Sequence, residues 1–176
     1  MRAAAPALAL LLAACGGGGA DADGDGNITQ VEARKEAEKV ELEPGRWETT
    51  IKVSDAKLGG VPLPQGANPL AEGRTNVACI SKEQAANPDA NIFAGDQPQG
   101  CTYDRFAMSG GKIDAAVNCA VPGQPARMSM TMAGDYSGTS YRLVTDSRIT
   151  GGGPGLPPGA AITSRAEITG RRLGDC

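Results

Sequence analysis

From residue 42 onward, apolar and polar residues alternate with a period of two. Trp47, Thr49, Ile51 and Val53 fall on one side, and Glu48, Thr50 and Lys52 on the other. That is the pattern of a half-buried strand, because successive side chains point to opposite faces. A shorter run predicts a strand over residues 76–80. The stretch CTYDRFAMSGGKIDAAVNC, residues 101–119, predicts a hairpin about Ser109, Gly110 and Gly111. RMSMTM (residues 127–132) places Met128, Met130 and Met132 on one face, and YRLVTDSR (141–148) continues after a Gly-Thr-Ser turn. AITSRAEITGRR (161–172) alternates Ile162, Ala166 and Ile168 with Thr163, Arg165 and Glu167. About seven strands patterned in this way predict a mostly β fold. The expected architecture is an antiparallel meander, as a curved sheet or a partly open barrel.

Two segments break the period. SKEQAANP (81–88) opens with Ser81 as a cap and predicts one short helix. TQVEARKEAEKVE (29–41) is strongly helix-forming, but its only apolar positions are Val31, Ala33, Ala37 and Val40. With so little to bury, it is expected to be a solvated tether, marginal alone. Three Pro/Gly-rich loops, at 57–73, 87–100 and 149–160, read as connectors.

The N-terminus suggests a compartment. One positive charge, Arg2, precedes an apolar run over residues 3–14. The run is shorter than the about 20 residues needed to span a bilayer, and suits a secretory signal. It ends Leu12-Ala13-Ala14-Cys15, which resembles the lipobox of bacterial lipoproteins. That resemblance implies cleavage before Cys15 and lipid on its sulfur. Gly16 stands where inner-membrane retention uses aspartate, so the expected location is the outer membrane, facing the periplasm. The expected parts are a signal (1–14), a tether (15–41) and a β domain (42–176).

An exported chain can use its cysteines as staples. Besides Cys15 there are Cys79, Cys101, Cys119 and Cys176, which allow three pairings. If the hairpin turns at Gly110, Cys101 and Cys119 face each other, with Ile113, Ala115 and Val117 on the same face. This favours Cys101–Cys119 and leaves Cys79 for Cys176.

Composition narrows the function classes. The 176 residues carry a formal charge of −3, and only 3% are aromatic, which argues against nucleic acid and aromatic ligand cages. There is no histidine, so the commonest general base is missing. No Gly-x-Ser-x-Gly elbow occurs. Asp104 and Asp114, on the two strands of the hairpin, read as ordinary exposed strand carboxylates, and the chain is not expected to be an enzyme. The three alternating methionines offer thioethers to copper(I), but read first as a flexible core face.

The sharpest motif lies just after Cys15. Asp21, Asp23, Asp25, Gly26, Asn27, Ile28, Thr29 and Glu32 fill the signature positions of a twelve-residue EF-hand calcium loop. Gly26 serves the sharp turn, Ile28 a short β contact, and Glu32 a bidentate carboxylate. Gly16, Gly17, Gly18 and Gly19 replace the entering helix, and no second loop is visible. The expected calcium affinity is therefore weak, on the order of 10⁻⁴–10⁻³ M. The competing reading is an acidic linker, with the β domain a periplasmic binding module for a hydrophobic ligand or a protein partner.

LEPGRWE (42–48), CISKEQA (79–85), the hairpin, GDYSGTSYRL (134–143) and the closing GRRLGDC (170–176) together resemble a bacterial envelope family catalogued as domain of unknown function 3617. The resemblance covers about residues 42–176. It implies secretion or lipidation and no known activity.

Overall fold

The computed structural model describes residues 20–21, 23–64, 66–86, 101–120, 123, 125–151 and 159–176. Among these residues eight strands are formed: β1 (Gly45–Leu58), β2 (Val61–Pro62), β3 (Arg74–Ile80), β4 (Cys101–Ser109), β5 (Lys112–Ala120), β6 (Arg127–Tyr136), β7 (Ser140–Thr150) and β8 (Ala161–Gly174). Two helices accompany them, α1 (Gln30–Ala37) and α2 (Lys82–Ala86). The strands make one open antiparallel sheet in the order β2-β1-β8-β7-β6-β5-β4, with β3 also paired to β1. The stretch from β4 to β8 is the expected meander. The added strand, β2, is a two-residue return against the end of β1.

Period two sorts the side chains onto two unlike faces. The inner face carries Trp47, Tyr103, Phe106, Ile113, Val117, Met132 and Leu143, all buried. Met128 and Met130 continue it, half-buried against the core. The outer face is charged and cross-linked between strands. Arg171 meets Glu48 at 2.8 Å, Arg165 meets Asp146 at 3.1 Å and Arg142 meets Glu167 at 3.1 Å. Exposed pairs of this kind add little stability each, but they keep that face wet. The two hairpin carboxylates do not pair with each other. Asp114 binds Arg105 at 2.7 Å, and Asp104 accepts from Asn118 at 2.8 Å.

The hairpin corrects one expectation. Gly110 and Gly111, with φ of +57° and +76°, form a two-residue turn that sets Ser109 opposite Lys112. The turn is thus centred between the two glycines, not on Gly110. Continued without change, that register would bring Cys101 opposite Ala120. A bulge between Tyr103 and Arg105 inserts Asp104 as the extra residue and restores Cys101 opposite Cys119. The structure joins Cys101 to Cys119, with Cα atoms 4.0 Å apart, and Cys79 to Cys176, at 5.9 Å.

The N-terminal segment corrects another. α1 is not solvated: Ala33 and Ala37 are 0% exposed and Val40 2%, and the helix packs against β4. The reason is size. A face of alanines lets a helix approach the sheet closely, so its seam closes without large side chains. Glu36, also buried, is paired with Lys39 at 2.5 Å. α2 has the expected cap, with Ser81 Oγ accepting from the Gln84 N–H at 3.2 Å.

Candidate metal centre

The acidic loop precedes α1 directly. Its backbone is folded by its own carboxylates, as short Asp side chains readily do. Asp21 accepts from the Gly24 and Gly26 N–H groups at 2.9 and 3.2 Å. Asp23 accepts from Asp25 N–H at 3.2 Å, and Asp25 from Asn27 N–H at 2.7 Å. These turns draw the carboxylates inward. One oxygen each from Asp21, Asp23 and Asp25 lies within 4.8 Å of the others, and all three side chains face solvent. Gly24 and Gly26 sit at φ +72° and +81° with open space around them, which lets the chain double back. The donor set is hard oxygen alone, suited to calcium or magnesium and unsuited to soft metals.

The fourth carboxylate is elsewhere. Glu32 Oε2 accepts from the Thr29 N–H and Thr29 Oγ1 at 2.9 Å each, while Thr29 Oγ1 accepts from Glu32 N–H at 3.3 Å. The two residues form a capping box that starts α1. The structure therefore brings together Asp21, Asp23 and Asp25, sets Asn27 next in the turn, and leaves Glu32 on the helix cap. A bidentate grip by Glu32 on a shared ion requires its carboxylate to leave Thr29.

Sequence reasoning missed what the loop leans on. Ile28, at loop position eight, is 5% exposed and makes an antiparallel bridge with Tyr103 on the free edge of β4. Its N–H donates to Tyr103 O at 3.3 Å, and Tyr103 N–H donates to Ile28 O at 3.2 Å. Just upstream, Ala20 N–H donates to Phe106 O at 2.9 Å. The strand edge thus takes the place of a second loop. One signal for this stood in the chain: Ile28 is the single large apolar residue between Asp21 and Gln30. The remaining predicted site, Cys15, lies outside the described residues.

No curated protein and no solved structure matches the chain. A family model described as protein of unknown function (DUF3617) matches residues 42–176, the whole β sheet and both disulfides, while the acidic loop precedes the match. By that match the chain belongs to the DUF3617 family.

Proposed function

We propose that this is an exported envelope protein, held at the outer membrane by lipid on Cys15, whose N-terminal loop binds one calcium ion. The observation that carries the metal reading is the convergence of the Asp21, Asp23 and Asp25 carboxylates within 4.8 Å, in a loop whose spelling also supplies Gly26 and Glu32. Three like charges held so close repel, and a divalent ion relieves that repulsion. Its role is structural: calcium fixes the loop on the edge of β4 and so completes the packing of α1. The reading replaces the solvated tether expected of residues 29–41, because α1 is packed against β4.

Native mass spectrometry of protein taken from its own envelope tests both halves. A calcium adduct removed by chelator and absent from Asp21→Asn/Asp25→Asn supports the metal site; its absence from wild type in millimolar calcium refutes it. Cys15→Ala should leave the detergent phase on partitioning, and partitioning equal to wild type refutes the anchor.

A further inference from the structure

Among the described residues, the inner face is not covered everywhere. Beyond the reach of α1, a groove of about 590 Å³ runs between β1 and β3, a size typical of small-molecule sites. Its walls are set by strand register. Trp47 stands opposite Ala78, Thr49 opposite Asn76 and Ile51 opposite Arg74. The loop after β2 closes one side with Leu70, whose carbonyl accepts from Val53 N–H at 3.0 Å.

The groove is graded along its length. One end is apolar, at Trp47, Ala78 and Ile80; the other carries Arg74. Six residues of strand separate Ile80 from Arg74, or roughly 20 Å. The polar atoms of the apolar end are engaged within the protein. The Trp47 indole N–H donates to Glu43 O at 2.9 Å, and the Thr49 and Tyr141 hydroxyls bind each other at 2.8 Å. Among the described residues, no acidic side chain lines the groove, and Arg74 is exposed with no ion-pair partner. By contrast, Arg142, Arg165 and Arg171 on the outer face all pair with carboxylates.

We infer that this groove binds a single-chain amphiphile with an anionic head, the acyl chain lying along Trp47, Ala78 and Ile80 and the carboxylate on Arg74. An apolar trough gains by removing a chain from water, and a guanidinium at its mouth takes a carboxylate through charge-assisted hydrogen bonds. The site shares no residue with the calcium loop, so either reading can fail alone.

Trp47 is the only tryptophan of the chain and reports on its own groove. The full chain would be titrated with dodecanoate and, separately, with dodecanol, following tryptophan emission. Saturable change is expected with both. Arg74→Gln should weaken dodecanoate about tenfold, the low end for an exposed hydrogen bond to a charge, and leave dodecanol unchanged. Ile51→Glu, which sets a carboxylate beside Arg74, should weaken dodecanoate more than dodecanol. Both substitutions are at exposed strand positions, so folding is preserved. No saturable change with dodecanoate overturns the site, and equal loss of dodecanoate and dodecanol in Arg74→Gln overturns the assignment of the head group.

Discussion

The Tyr141 hydroxyl lies 2.8 Å from the Thr49 hydroxyl, although a whole strand runs between them. Tyr141 is on β7, Thr49 is on β1, and both stand opposite Gly170 of β8. A Cβ on Gly170 would sit 2.1 Å from the Tyr141 ring, so the ring passes directly over the glycine. Trp47 stacks on the same ring, with centroids 5.9 Å apart and planes at 17°. One aromatic side chain therefore links the first strand of the sheet to the last hairpin, across a position where any other residue would block it.

Gly170→Ala should accordingly destabilise the protein by ~1–3 kcal/mol, the usual cost of overpacking a filled site. Tyr141→Phe keeps the ring and loses only the hydroxyl bond, so about 1 kcal/mol is expected. Urea midpoints check the order. Gly170→Ala as stable as wild type would mean that the ring does not lie over the glycine.

The two disulfides should differ in worth. In the chain-entropy account, a loop of about 15 residues gives ~3 kcal/mol and one of about 100 gives ~4.7 kcal/mol. Cys101–Cys119 encloses a separation of 18 and Cys79–Cys176 one of 97. Losing the second should therefore cost more. Each double Cys→Ser variant should be little worse than its singles, since partners do not add. Unreduced peptide maps joining Cys79 to Cys101 would overturn the pairing.

Much of the sheet is legible in the sequence because one face is buried and the other wet, so strands such as Arg127–Tyr136 announce themselves by alternation. The pairing of β1 with β8 is not: residues 46 and 174 are far apart in the chain, and no local period records which strands meet. The bulge was half-legible. Buried residues of β4 are odd at Cys101 and Tyr103 but even at Phe106 and Met108, a phase change visible in CTYDRFAM. The packing of α1 was hidden because alanine is a weak apolar signal, yet it fits a tight seam. In the acidic loop, motif spelling located the three convergent aspartates. Position eight gave no hint of its partner, because that partner lies on a strand seventy-odd residues away.

The phase change makes a test. Deleting Asp104 removes the extra residue, so Tyr103 falls two positions before Phe106 and the ladder becomes regular, with Cys101 still opposite Cys119. Deleting Thr102 instead keeps the bulge and moves Cys101 opposite Asn118, facing away from Cys119. Thiol titration under denaturing conditions should find no additional free thiols in the first variant, and two in the second with a lowered urea midpoint. A Thr102 deletion with the Cys101–Cys119 bond intact and unchanged stability would contradict the bulge.

Alkali should unfold the protein through its buried phenols. Burial pushes Tyr103 and Tyr141 above the ordinary value of 10.0, with the Thr49 hydrogen bond pulling Tyr141 partly back. The folded state then holds protons that the unfolded chain gives up. The resulting stability is whole below about pH 10 and is lost as pH rises through the raised folded values. The urea midpoint should fall in that window, and less steeply in Tyr103→Phe and Tyr141→Phe. An identical alkaline loss in both variants would assign it to other groups.

The last prediction concerns Ile28 and Tyr103. A loop ordered only by calcium bears its full ordering cost, which gives the weak range of about 10⁻⁴–10⁻³ M. Here two backbone hydrogen bonds to β4 and the buried Ala33 and Ala37 already hold the far end of the loop. Preorganisation of this kind shifts affinity to the tight end of that range, about 10⁻⁴ M or below. Against it stands Glu32, which must leave the Thr29 cap to reach the ion. Glu32→Gln separates the two effects, because glutamine serves a capping box as well as glutamate but is a poor calcium ligand. That variant should keep α1 and lose the metal. Hydrogen exchange at the Ile28 and Tyr103 amides reads the coupling directly. Calcium should slow both amides in wild type and neither in Glu32→Gln, with the far-ultraviolet signal of the two proteins alike. Exchange at Tyr103 unaltered by ~10 mM calcium, well above the expected range, would leave the aspartates as an acidic turn and the β4 edge held by packing alone.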